Sequence, residues 1–207
     1  MHAIAVFALT GLLSFTLVPV EPEVATYHDD ALHFTLTYPA TLTPSNAVTQ
    51  VVEQSKKEMK TDAEKKALGC ISTPLMALRE TNDFALIMVM RMDLACLNVP
   101  PATGILSTLA QTSLRQGLAR LGLSTVSAPT SYKLDNHDAV FLRGAVTDED
   151  GKETAHGAAV CSLVEKSAVC WEVVAIDKGN VTSLLASPVG FDGHPPQPLV
   201  PADVIGN

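Results

Sequence analysis

The sequence predicts an α+β domain with helices laid on an antiparallel sheet, and three observations carry that prediction. Residues 136–176 read as three strands joined by two tight turns, at Asp150-Gly151 and at Glu165-Lys166. Phe84, Leu86, Met88, Met90, Met92 and Leu94 alternate with Ala85, Ile87, Val89, Arg91 and Asp93, which predicts a strand buried strongly on its even face. Between these regions, Ile105, Leu106, Leu109, Ala110, Leu114, Leu118 and Leu121 recur at helical spacing, with Gln111, Arg115, Gln116 and Arg120 on the other face and Gly122 placed to cap the end.

Taken in order, the first element is an apolar run over 3–20 (AIAVFALTGLLSFTLVPV), which breaks at Pro19 and reaches Glu21-Pro22-Glu23. Such a run exports or anchors the chain; a buried core helix is the alternative, and eighteen residues without a charge or a polar face argue against it. The run lacks the usual basic residues ahead of it, because the first Lys or Arg in the chain is Lys56. With Ala25 as the small residue at the cut, the expected organisation is a signal peptide or membrane anchor over 1–25, one domain over 26–192, and a Pro-rich, extended and mobile tail over 193–207. The whole chain has 14 Lys and Arg against 22 Asp and Glu; the leader removes two of those acids, Glu21 and Glu23, and leaves a formal charge of −6. That balance excludes nucleic acid and anionic lipid as partners, since both select a basic footprint.

After the leader, an acidic turn over Tyr27-His28-Asp29-Asp30 leads into a strand with Phe34, Leu36 and Tyr38 on one face, ending at Tyr38-Pro39. Residues 46–68 are helical by propensity but mostly charged, with a thin apolar stripe of Val48, Val51, Val52 and Met59, which predicts a solvated helix. Residues 70–80 read as a strand hairpinned to the methionine strand through Thr81, Asn82 and Asp83, with Pro74 marking an edge or a bulge. A short closing helix is expected over 181–185.

Hairpin arithmetic then pairs the four cysteines. With Glu165 and Lys166 at the tip, Val164 faces Ser167 and Cys161 faces Cys170, a separation that suits a disulfide in a non-hydrogen-bonded pair. With Asp150 and Gly151 at the other tip, Glu149 faces Lys152 and Phe141 faces Val160. A loop centred on Asp83 sets Met76 opposite Met90, Leu78 opposite Met88 and Cys70 opposite Cys96. Four free buried thiols are the alternative in a reducing compartment; the leader favours two disulfides. No Cys-x-x-Cys pair is present, so redox catalysis is not expected.

The segment from Asp30 through His33-Phe34-Thr35-Leu36-Thr37 to Tyr38-Pro39 resembles the opening of PsbP/Mog1-like domains, of the exported DcrB/LpqN type, with His33 where that family often has glycine. The order of elements from Tyr27 to Phe191 resembles the family too. The resemblance implies an α/β/α sandwich around one central antiparallel sheet and a binding or accessory role; none of the family's functional residues carries over to a matching position here.

The chemistry-bearing residues are few. His28, Asp29, Asp30 and His33, with His137 or Asp138 from elsewhere, could form a metal site, or the aspartates could cap a solvated turn. Asp148-Glu149-Asp150-Gly151 lacks the ligand series of a calcium loop and reads as a hairpin turn. Gly-x-Ser-x-Gly is absent. The methionines could line a soft groove or bind copper, but alternate spacing on a strand favours core packing against the helix over 104–121. The expectation is a noncatalytic protein, periplasmic or secreted and tethered if the leader is kept. It would bind a protein partner or small ligand, with no cofactor; a small exported hydrolase or metal enzyme using the His28/Asp29/Asp30/His33 loop is the alternative.

Overall fold

A computed structural model describes residues 23–81, 85–191 and 193–206. The apolar run read as a leader, and the turn residues Asn82 and Asp83 with Phe84, lie outside the described residues. Among the described residues no helix is long and apolar enough to cross a membrane.

The architecture is α+β, with two antiparallel sheets. In spatial order the larger contains β3 (Thr43–Pro44), β4 (Thr73–Arg79), β5 (Ala85–Asp93), β10 (Ser167–Ala175), β9 (Glu153–Val164), β8 (His137–Thr147) and β6 (Thr125–Val126), and β7 (Thr130–Leu134) also pairs with β8. The smaller contains β1 (Val24–Asp29), β2 (Phe34–Pro39), β11 (Pro188–Phe191) and β12 (Gln197–Pro198). The helices are α1 (Ala47–Glu58), α2 (Asp62–Ile71), α3 (Thr103–Leu109), α4 (Arg115–Arg120), α5 (Lys178–Leu185) and α6 (Ala202–Ile205). A π turn at Ala110–Leu114 joins α3 to α4, so the amphipathic stripe over 104–121 forms one interrupted rod, closed by Gly122 at φ 87°.

The three-strand meander has the expected register: Cys161 lies opposite Cys170, Val164 opposite Ser167 and Phe141 opposite Val160. Only the Asp150-Gly151 tip differs. A bulge between Val146 and Thr147 shifts the ladder, and the Asp148 carboxylate accepts the backbone N–H of Asp150 and of Lys152, so Glu149 does not face Lys152.

The other hairpin departs further. α2 continues through Cys70 to Ile71, so Cys70 is helical and the strand begins only at Thr73. The register is already offset by one at the tip, where Arg79 lies opposite Leu86, so Met76 faces Val89 and Leu78 faces Ile87; a bulge between Pro74 and Met76 then shifts it by one more, setting Pro74 opposite Met90. Proline offers no N–H to the ladder, and the extra residue is absorbed beside it.

The large sheet is covered on both faces, so the even/odd contrast expected of β5 is lost. Its odd residues Ala85, Ile87 and Val89 join the main core with Trp171, Val160 and Phe141, beneath Phe34 and Leu36 of β2, Val189 and Phe191 of β11, and α5. That covering layer is mixed, the small sheet standing beside α5 and α6. On the opposite face Leu106, Ala110, Leu114 and Leu118 pack over Val140, Leu142, Cys161 and Cys170 of the meander. The methionines are shared out: Met88 lies under Val48 and Val52 of α1, and Met92 beside Leu94 and Leu109. The rod therefore rests chiefly on the meander and not on the methionine strand.

Two further expectations are corrected. Residues 27–29 belong to β1, paired with β2 from Val24↔Pro39 to Asp29↔Phe34, and the turn follows them with His33 at φ 52°. The 193–206 segment is docked, not extended and mobile. Leu199 and Val200 are buried, their N–H groups bond to Ser187 O and Leu185 O, and the Tyr132 hydroxyl donates to Leu199 O at 2.6 Å. A short apolar cluster among prolines, with little backbone freedom to lose, is enough to seat it.

Candidate functional site

An open cleft of about 310 Å³ lies between α1 and the junction of α2 with β4. It exists because one helical stretch breaks in two. Met59 adopts an extended conformation after Glu58, and the chain re-enters helix through a capping box in which Thr61 Oγ1 accepts the Glu64 N–H while the Glu64 carboxylate accepts the N–H of Thr61 and Lys60. Those bonds from Thr61 and Lys60 hold the Glu64 carboxyl below the usual carboxylate range. α1 is anchored by Val48 and Val52 on Ala77 and Met88.

Thr49, Glu53 and Lys56 face the cleft from α1, and Ser72 and Thr73 from the junction. Lys56 Nζ stands 2.7 Å from Glu53 Oε1, and Thr73 Oγ1 donates to Gly69 O at 3.0 Å. The lining thus offers hydroxyls and a paired cation, groups that hold a polar ligand in place. A second, smaller pocket of about 110 Å³ lies between Pro39, Leu42, Glu80 and Ser183.

The carboxyl with the most displaced ionisation is elsewhere. Glu172 of β10 is 5% exposed, and burial pushes it up to about 7, against the opposing pull of the Arg120 guanidinium. A β-carbon added at Gly117 of α4 would stand 2.5 Å from Glu172 Oε1, so the helix crosses directly above this carboxyl. Glu172 is walled in by strands and helix and has no opening toward either cavity among the residues that line them. Sequence reasoning missed it; the available signal was a lone acid within the apolar run of β10.

The loop read as a metal or catalytic candidate is occupied with its own folding. Asp29 Oδ1 accepts the N–H of Ala31 and Leu32, and Asp29 Oδ2 accepts from the Tyr27 hydroxyl. His28 bonds Thr35 Oγ1 through Nδ1 and faces Asp30 Oδ1 at 3.1 Å through Nε2. His137 bonds Leu163 O and packs against Phe191, and Asp138 pairs with Lys133 at 2.6 Å, so neither converges on the loop. Among the described residues no three His, Cys, Asp or Glu side chains gather as metal ligands would.

The cysteines pair as Cys70 with Cys96, Cα atoms 5.7 Å apart, and Cys161 with Cys170, 4.1 Å apart. The second bridge is a cross-strand staple of β9 to β10. The first ties the end of α2, beside the cleft, to the turn that follows β5.

No protein-family model matches the chain, and no curated protein does. Among solved structures the chain is similar to cyanobacterial PsbP (CyanoP) from Synechocystis sp. PCC 6803, at 11% identity over 88% of this chain and 100% of that one, with a TM-score of 0.47. It is also similar to LpqN, involved in cell envelope biogenesis of Mycobacterium tuberculosis, at 12% identity over 82% of this chain and 81% of that one, with a TM-score of 0.36. Likenesses at this level carry no ligand, activity or residue role onto this chain.

Proposed function

We propose that this is an exported, noncatalytic protein that binds a protein partner or a small ligand in the cleft between α1 and the α2–β4 junction. The observation that carries the reading is the cleft's lining: hydroxyls of Thr49, Ser72 and Thr73 beside the Lys56–Glu53 pair, suited to holding a polar group. The displaced carboxyl that could have done acid–base work, Glu172, is packed beneath Gly117 instead. Export, to a periplasm or beyond the cell, is supported by the pairing of all four cysteines, because a reducing cytosol does not maintain such bridges.

A photoreactive residue in place of Thr49, compared with one in place of Glu149 at the far hairpin tip, tests the binding site. Cross-linking to one defined envelope or extracellular species from Thr49, competed by unmodified protein and absent from Glu149, is the expected result. Equal cross-linking from both positions would remove the cleft from consideration. Mass spectrometry of natively produced protein tests export, with a new amino terminus near residue 26 and no alkylatable thiol expected.

A further inference from the structure

The attachment of α2 to the rest of the molecule rests on very little. Of its ten residues only Cys70 is buried, at 4% exposure; residues 62–67 are exposed, Leu68 is half-buried and Ile71 is 38% exposed. A helix this short does not persist on propensity alone, and it has no apolar stripe to hold it down. The capping box keeps its first turn helical, but a cap fixes conformation and not position. Position comes from the chain's continuation into β4, from the helix's approach to β5 and from the bridge of Cys70 to Cys96.

The two ends of that bridge differ. Cys96 is exposed, in a turn organised without its sulfur: Asp93 Oδ1 accepts the Cys96 N–H at 2.9 Å, Val99 N–H bonds Leu94 O at 2.9 Å, and Leu94 is fully buried. Opening the bridge therefore leaves this turn in place and releases the helix. The other bridge has neither property. Cys161 and Cys170 are 0% and 7% exposed, lie beneath Leu106 and Leu114, and join strands that are already fully paired.

We infer that Cys70–Cys96 is a thiol–disulfide exchange site, opened by a dithiol protein of the Cys-x-x-Cys class to free α2 while Cys161–Cys170 stays closed. In the first step a thiolate of the dithiol attacks Cys96 Sγ, the S–S bond breaks, and Cys70 leaves as a thiolate that takes up a proton. The dithiol's second thiolate then attacks its own sulfur in the mixed disulfide and expels the Cys96 thiolate. Two electrons pass to the protein, which ends with two thiols, and the dithiol ends as a disulfide. A disulfide oxidant of the same class reverses both steps. Gly69 and Ser72, on either side of Cys70 and Ile71, line the cleft, so release of α2 removes one wall of it. That last consequence rests on the function proposed above; the exchange itself does not.

The test uses the oxidised, full-length protein, exposed under native conditions either to reduced thioredoxin or to dithiothreitol, then acid-quenched, alkylated and mapped by mass spectrometry. Labelling of Cys70 and Cys96 at least tenfold faster than of Cys161 and Cys170 is expected, together with a tenfold or greater loss of amide protection over 62–71 and none over β10. Equal rates for the two bridges, earlier opening of Cys161–Cys170, or unchanged protection over 62–71 once Cys70–Cys96 is open would each overturn the inference. The double variant Cys70→Ser/Cys96→Ser should show the loosened α2 with no reductant present. Cross-linking from Thr49 in that variant separates the two proposals: an undiminished yield with a loosened α2 sinks the link to binding and leaves the exchange site standing.

Discussion

The two disulfides occupy opposite kinds of structure. Cys161–Cys170 joins neighbouring central strands of a sheet covered on both faces, with Leu106 and Leu114 above it and the ladder paired along its length. Remove the sulfur and the register is still set by Val160 against Phe141 and Trp171 and by the Glu165 turn. Cys70–Cys96 joins a helix that buries nothing else to a turn that needs no help. On the entropy model closure of either loop is worth roughly 2–4 kcal/mol, the longer one somewhat more. The contrast shows that the same bond reinforces a position in one place and supplies it in the other.

The sharpest test of that contrast is to delete apolar surface in each region. Phe34 is fully buried, its ring centroid 5.8 Å from that of Trp171, 6.2 Å from Phe191 and 5.9 Å from Tyr27, and it joins the small sheet to the large one. Phe34→Ala should cost about 3–5 kcal/mol in urea unfolding. Leu68→Ala, which deletes the half-buried apolar side chain of α2, should cost under about 1 kcal/mol. Comparable losses would place α2 within the cooperative core and erase the distinction.

Within the sealed region, Glu172 is the feature that packing tolerates at a cost. Its unfolded carboxyl titrates near 4.5 and its folded one near 7. Between those values the folded state holds a proton that the unfolded state has lost, so stability falls as pH rises, is greatest below 4.5 and levels off above 7. Glu172→Gln should flatten that slope and be more stable than the parent above pH 7, by up to about 3 kcal/mol. Superimposable stability-against-pH curves for the two proteins would show that the carboxyl is solvated.

A smaller effect follows at the helix above it. Gly117→Ala would set a β-carbon 2.5 Å from Glu172 Oε1 and should cost about 1–2 kcal/mol despite alanine's better helix propensity. Combination with Glu172→Ala, which empties the space, should recover most of the Gly117→Ala loss in a double-mutant cycle.

The legible parts of this fold are those where local pattern and tertiary packing agree. Alternation in 154–174 and a two-residue tip at Glu165-Lys166 suffice to set Cys161 opposite Cys170. Cys70 pairs with Cys96 from a helix and not from a strand, because a period-2 pattern over 70–80 does not reveal that helix runs on to Ile71 and that a bulge beside Pro74 shifts the register. β5 misled for a different reason: strands covered on both faces lose the alternation that marks a half-buried one. In the tail the prolines point to extended chain, while Leu199, Val200 and Val204 carry the docking signal. The cleft had a readable cause in the Thr61-x-x-Glu64 box that splits the helix, but a concavity needs the facing β4 strand as well, and no local pattern reports that.

The mildest perturbation asks whether α2 folds with the core or on its own. Thr61→Ala removes the acceptor for the Glu64 N–H, a loss typically near 1 kcal/mol for a helix cap. In a cooperative domain that loss would lower the urea midpoint. Here α2 buries one side chain, so the loss should stay local: amide exchange over 62–66 should rise about fivefold while the unfolding midpoint and the protection of β10 do not move. Acid should act in the same place. Because the Thr61 and Lys60 amides hold the Glu64 carboxyl below the usual range, its stabilising bonds are present above that range and are lost as pH falls through the lowered value. The same segment should therefore begin to open only once the pH falls below the usual carboxylate range, where Glu172 is already protonated and changes nothing further. A midpoint that fell in step with the cap's loss would make α2 part of one cooperative unit, with the Cys70–Cys96 bridge no more than reinforcement.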